Sequence, residues 1–336
     1  MRYFRNHISI MLAVSAVLVA LISCSPSGNQ AGAATQNPIN ISQTDQGFSI
    51  AEGTEKIMFY QRQHKSMDGK YTRANYIHPL YGLNGEILTE DFPADHLHHR
   101  GIFWAWHQVW LGDKKLGDSW AANDFFWDVY DTEILTIDSQ SRGLRLGVYW
   151  KSPLLTDANG NQEAFVKETT TIRVHRAEGD IRKIDFQIEL LALKDNMRLG
   201  GSEDAKGYGG FTARIPLPDG LAFTGTNGPV EPTTLSVEAG PWLDFSGNLG
   251  SQGRTSGLAI LCHSSSPGYP QRWIMRRKGS AQNPVFPGRH PVPLLREKPL
   301  VLRYRLIIHR GDVNDVNLDR LQAEYNSLAD PLFDKE

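Results

Sequence analysis

Along much of the chain apolar and polar positions alternate with a period of two. From Lys183 to Leu190 the alternation sets Ile184, Phe186, Ile188 and Leu190 on one face. A half-buried strand reads this way, because successive side chains point to opposite sides of a sheet. Leu302 to Ile308 repeats the pattern, with Arg303 and Arg305 on the face opposite the apolar set. Leu144 to Trp150 and Thr169 to His175 are further runs of strand-forming residues. Turn signals punctuate them at Asn84-Gly85, Asn159-Gly160 and Pro218-Asp219-Gly220. Many strands with little helix between them predict an all-β fold, a large antiparallel β-sandwich. One short C-terminal helix is expected. Val316, Leu321, Tyr325 and Leu328 share a stripe, Asp312 to Asp315 offer a cap, and Pro331 follows. It is read as a brace on the sandwich, without chemistry.

The N-terminus departs from this pattern. Met1 to His7 carries Arg2 and Arg5 and no acid, an apolar run spans Ile8 to Ile22, and Ser23-Cys24 follows. That order describes a secretory signal, with an apolar core short of the roughly 20 residues that a membrane span needs. Leu21-Ile22-Ser23-Cys24 fits a lipobox, so Cys24 is the expected lipidation site and residues 1–23 the signal peptide. Several acyl chains anchor stably where one does not. The expected location is therefore lipid-anchored, periplasmic or outer membrane. Residues 24–46, rich in Ser, Gly, Asn, Gln, Ala and Thr, read as a flexible tether. Residues 47–336 are expected to form a single β-sandwich domain.

Composition narrows the partners. The formal net charge is −2, and removing Arg2 and Arg5 with the signal leaves about −4. No basic stripe exists to hold nucleic acid. Of the two cysteines, Cys24 is committed to lipid, which leaves Cys262 without an intramolecular partner. Its apolar, strand-like setting predicts a buried, inert thiol.

Candidate chemistry concentrates between Asp91 and His107. His96, His98, His99 and His107, four of the eleven histidines, fall there with Asp91, Asp95 and Arg100. Imidazole both moves protons near neutral pH and binds transition metals. If the segment were an extended strand, His96 and His98 would face one way and His99 the other, with His99 and His107 about 26 Å apart. A metal ion is one reading, with His96, His98 and a carboxylate such as Asp95 or Asp91 as ligands; acid–base residues in a substrate cleft are the other. A lone strand histidine is usually satisfied by hydrogen bonds, but three within four residues beside Asp and Arg are costly unless used. Tryptophan is the second signal. Trp104, Trp106, Trp110, Trp120 and Trp127 crowd one stretch, and indole suits stacking on a sugar ring as well as core packing. Of Trp104 and Trp106, one is expected at the core rim and one near the cleft. Glu163 and Glu168 flank a strand start, and Asp204 to Phe211 is a glycine-rich loop holding Lys206, with Arg214 beyond it. His263, His290 and His309 are isolated and read as structural.

Tyr81-Gly82-Leu83-Asn84-Gly85 and Asp95-His96-Leu97-His98-His99-Arg100-Gly101-Ile102-Phe103-Trp104 resemble a bacterial family labelled methane oxygenase PmoA-like. Lys206 to Arg214, Trp242 to Gly247, Asn283-Pro284 and Tyr304 to Gly311 fit it too. The resemblance implies a fold similar to the galactose-mutarotase supersandwich, in bacteria rich in glycan-degrading systems. It implies that His98, His99 and Arg100 line the concave face, with Lys206 and Arg214 as neighbours. The leading expectation is a carbohydrate-active hydrolase or lyase on glycan fragments or modified sugars. In it His98 or His99 is the acid or base, Arg100 is an anion or hydroxyl clamp on the substrate, and Lys206 stands beside them. His96, Trp104, Trp106, His107, Glu168 and Arg214 contact substrate. The alternatives are a non-catalytic glycan-binding surface lipoprotein and a metal-dependent oxygenase.

Overall fold

The alternating runs become strands of two antiparallel sheets. In the computed structural model the described residues are Met1, 38–250 and 253–333. The signal segment, Cys24 and the tether up to residue 37 lie outside them. The larger sheet has nine strands. Four long ones, Phe126–Thr136, Ser141–Thr156, Gln162–His175 and Ile181–Ala192, run as a meander. Leu300–Arg310 follows in space, then Ser256–Cys262, Trp242–Gly247, Ala222–Gly225 and Gly228–Pro229. The two strands read most clearly from alternation are neighbours, with Phe186 opposite Tyr304 and Ile184 opposite Leu306. Their polar faces meet as well. Asp185 pairs with Arg305 at 2.6 Å, with both side chains almost fully buried.

That face is dry because the C-terminal helix covers it. Leu318, Leu321 and Tyr325 pack with Trp242, Ala259, Leu261 and Ile307 in a separate apolar cluster. Asn317 caps the helix Leu318–Ser327 by accepting from Arg320 N–H. The expected cap, Asp312, instead serves a preceding 3-10 turn, Val313–Asp315, in a capping box with Asp315.

The second sheet has six strands, in the order Ile39–Gln43, Gly47–Glu52, Glu55–Gln61, Tyr76–Leu80, Ile102–Ala105 and Gly210–Ala213. The first of these lies inside the stretch expected to be tether as far as residue 46. Ile39–Gln43 pairs in register with Gly47–Glu52, and Ile39 is buried. The polar residues around Ile39 and Ile41 hide a strand whose inward positions are apolar.

The two sheets share one core. Phe48, Ile50, Tyr60 and Trp104 from the smaller meet Leu144, Ile172, Phe186 and Leu306 from the larger. Phe211 stacks on Tyr304 at 4.6 Å across the gap. Each large side chain buried there contributes roughly 1.5–3 kcal/mol. This is the expected antiparallel sandwich. Cys262 is buried within it without a disulfide, and burial pushes its thiol pKa up. A four-stranded sheet, Val292–Leu294, Met197–Gly200, Gln108–Leu111 and Lys114–Gly117, joins this frame and carries the chain from His107 round to Trp120.

Candidate functional site

The histidine segment is not a strand. Asp91 and Arg100 bridge, and between them the chain makes two successive turns. His96 N–H donates to Pro93 C=O at 3.0 Å, and His99 N–H to His96 C=O at 2.9 Å. Pro93 and Asp95 are turn-forming residues, and the turns bring together side chains that a strand would separate. His96 and His99 stack at 4.7 Å and 6°, and His98 stands edge-on to both at 5.6 and 4.6 Å. The expectation that His99 faces away from His96 and His98 is thereby corrected.

The turns are pinned by ion pairs whose arginines are buried. Asp95 takes a two-pronged bond from Arg214 at 2.9 and 2.7 Å, and its Oδ2 lies 2.9 Å from His96 Nδ1. Arg214 also donates to Glu90 at 2.7 Å. Burial works to raise the Asp95 pKa, but the Arg214 and His96 bonds outweigh it and hold the carboxyl well below the usual range. Arg100 is fully buried. It donates to Asp91 at 2.9 Å and to the Lys65 and Tyr71 carbonyls, and it lies over the Phe92 ring. Arg100 therefore ties down the base of the turns; as an expected substrate clamp it is corrected. Arg214 is likewise committed to carboxylates and positions the turn.

The expected metal set does not assemble. Asp95 is taken up by Arg214 and His96, and among the described residues no three His, Cys, Asp or Glu side chains are grouped so as to hold a metal ion. The imidazoles instead face a cavity of about 480 Å³. His96, His98, His99 and His107 line one part of it, Lys206 and Tyr208 another, and Arg276, Lys278 and Asn283 a third, with Trp120 beside His107. Among the described residues no aspartate or glutamate lines it.

Each wall follows from local structure. His107 lies in the link between the strands Ile102–Ala105 and Gln108–Leu111, and its Nδ1 lies 2.8 Å from Asp118 Oδ2, while its ring stacks on Trp120 at 5.5 Å. Tyr208 meets His107 edge-on at 4.9 Å. The glycine-rich loop presenting Lys206 and Tyr208 needs its glycines, since Gly210 has φ of +97°. Asn283 holds that loop, accepting from Gly209 N–H at 3.1 Å and donating to Phe211 C=O at 2.7 Å.

Burial, first, and the charges of Arg73 and neighbouring histidines push the His98 pKa down to about 4. Burial with the charge of His98 pushes His99 to about 2. Both rings are neutral at pH 7. Nδ1 of His99 and Nε2 of His107 are buried without a protein hydrogen-bond partner. His98, half-buried, likewise makes no side-chain hydrogen bond among the described residues. These rings can accept a proton or receive a substrate hydroxyl.

Three expected contacts belong to the core instead. Trp104 and Trp106 are both buried. Trp104 Nε1 donates to Glu168 at 2.8 Å, and Trp106 Nε1 to Phe286 C=O at 2.9 Å. Glu168, fully buried, also accepts from Asn75, Trp150 and Thr170. Alternation placed these side chains on one face without saying that this face is the sandwich interior. Sequence reasoning missed Asp118, Tyr208, Arg276, Lys278 and Asn283 as site residues. The basic run Arg276-Arg277-Lys278 was a legible signal for two of them, and Asn283 stood in a segment that fits the family resemblance; Asp118 carried none.

An antiparallel β-sandwich with a histidine-lined, cation-rimmed cavity defines the class of protein. Residues 48–323 match the model of DUF6807, a family of unknown function, and the chain belongs to that family. The family description bears no methane-oxygenase designation. No curated protein matches the sequence. Among solved structures the chain is similar to YeaD of Salmonella typhimurium, described as a candidate mutarotase. The match has 11% identity over 82% of this chain and 94% of that one, with a TM-score of 0.29.

Proposed function

We propose that this is a carbohydrate-active lipoprotein enzyme that removes a proton from its sugar substrate, with His98 as the base. The observation that carries the reading is His98 itself: a neutral imidazole on the cavity wall, without a protein hydrogen-bond partner. A base is most useful when it is unprotonated at working pH and within reach of substrate. A pair of carboxylates, which most glycosidases use, is not among the lining residues, so lyase-type chemistry is favoured over hydrolysis. Tyr208, whose hydroxyl burial keeps protonated, is the group placed to return a proton. His107, oriented by Asp118, and His96 contact substrate beside it. The carbohydrate class is supported by the resemblance carried by the Asp95 to Trp104 segment and by a polar cavity large enough for a sugar unit.

The test is turnover of an oligosaccharide panel by the full-length protein, followed by chromatography of the products. His98→Gln is expected to lower kcat by about 10²–10⁴-fold. Undiminished turnover by His98→Gln sinks the reading. Tight binding of a sugar without product by the unmodified protein moves the assignment to glycan capture.

A further inference from the structure

Positive charge is concentrated at this cavity in a chain whose net charge is −2. Lys206, Arg276 and Lys278 line it, and among the described residues no carboxylate does. Arg276 is held by the backbone carbonyls of Thr233, Met275 and Thr234 at 2.8, 2.7 and 3.0 Å, which fix its guanidinium without neutralising it. Lys278 is exposed and pairs with no carboxylate among the described residues. Lys206 alone has an acid, Asp204, at 2.9 Å.

Below the histidines lies a fourth cation. Arg73 is 1% exposed, donates to the Ser119 and Trp120 carbonyls, and sits over the Phe103 and Trp127 rings. No carboxylate pairs with it among the described residues. A buried guanidinium without a counter-charge is costly. The sandwich core elsewhere pairs its buried cation, as Arg305 with Asp185. The unpaired charge, offset only from a distance by Asp118, is therefore a property of this site, and it raises the local concentration of anions.

We infer that the cavity takes a carboxylate-bearing sugar, a uronate unit of an oligosaccharide, with Arg276 and Lys278 on the carboxylate. This rests on the reading of His98 as base. A carboxylate fits that reading because it is attached to the carbon that loses its proton. Offsetting its charge stabilises the electron density that develops there, whereas a sulfate ester on a distant oxygen gains nothing from it. In the step, His98 takes the proton from C5, the C5–H electron pair forms the C4–C5 double bond, and the C4–O bond breaks. The departing oxygen takes the Tyr208 hydroxyl proton, and the proton on His98 returns through solvent to Tyr208. The product is an unsaturated uronate and a chain with a free hydroxyl.

The experiment offers the full-length protein oligogalacturonates and oligoalginates, their carboxyl-reduced counterparts, and a sulfated neutral oligosaccharide. Ultraviolet absorbance of the conjugated double bond and calorimetric binding are the readouts. Cleavage of a uronate but not of its reduced form is expected. Lys278→Ala, a surface change that leaves folding intact, is expected to raise KM about tenfold with less effect on kcat. Added salt acts in the same direction, and Arg296→Ala, on a distant surface, does neither. His98-dependent turnover of neutral sugars, unaffected by Lys278→Ala, overturns the inference and leaves the base assignment standing. Uronate binding that depends on Lys278 but yields no product removes the base assignment and keeps the charge recognition. Preference for the sulfated chain, or no binding of any uronate, overturns the inference.

Discussion

His98 and His99 are adjacent in the chain but differ in surroundings, and the difference sets their chemistry. His98 is half-buried on the cavity wall, while His99 is 1% exposed between His96, Trp120 and Phe103. Both pKa values lie below the 6.5 of a free imidazole, mainly through burial. Above pH 6.5 neither the folded nor the unfolded chain holds these protons. As pH falls below that value the unfolded chain takes them up and the folded one refuses, so stability declines from about 6.5 down to about 4. His64, His78 and His263, lowered chiefly by burial, add to the slope. At His309 burial is outweighed by the Asp244 bond, which shifts it the other way. Calorimetric melting at pH 7 and pH 5 is expected to show a lower Tm at the acid value, and His98→Gln with His99→Gln is expected to flatten the difference. The base form of His98 persists over the same window, so loss of the base by protonation is expected only near pH 4. An activity limb centred near 6.5 instead would point to a different proton acceptor.

At the scale of elements, one strand residue away from the cavity joins the two sheets. Glu168 in Gln162–His175 gathers Asn75, Trp104, Trp150 and Thr170, tying both sheets to one carboxylate. All four partners donate to its oxygens, and these bonds only partly offset the burial that raises its pKa. Glu168→Gln turns one acceptor into a donor facing a donor, and is expected to cost about 2–4 kcal/mol in urea denaturation. An unchanged midpoint would show that the network carries little stability. The C-terminal helix gives a contrasting case. Leu321→Ala removes a buried side chain over the outer sheet face, at an expected cost of about 2–4 kcal/mol with kcat/KM unchanged. The helix and the strands were legible because their periods are intrinsic to the sequence. The turns from Pro93 to His99 were not, since a run of histidines has no period and only the hydrogen bonds from His96 and His99 settle which rings meet.

At the scale of the whole molecule, position matters as much as chemistry. The lipobox at Cys24 supports a proposal of lipid anchoring, which would hold the cavity near a membrane surface where glycan fragments arrive. Cys24→Ser is expected to move the protein from the membrane fraction to the soluble fraction on cell fractionation. Retention of the variant at the membrane would refute anchoring through that residue. The cavity draws its walls from distant stretches, around residues 96–107, 118–121, 206–208 and 274–283. A sequence displays such stretches singly and says nothing of their meeting.

The amino-acid sequence by itself determined the all-β class, the two central strands, the bracing helix, the inert Cys262 and the place where histidines concentrate. These depend on local period, composition and propensity, which a linear chain carries in full. Tertiary structure decided the rest. It turned Arg100, Glu168, Trp104 and Trp106 from site candidates into buried supports, because which polar group finds a partner depends on packing across the two sheets. It also brought Tyr208, Arg276 and Lys278 to the histidines. Their charge and proton affinity acquire meaning only from the cavity that they share.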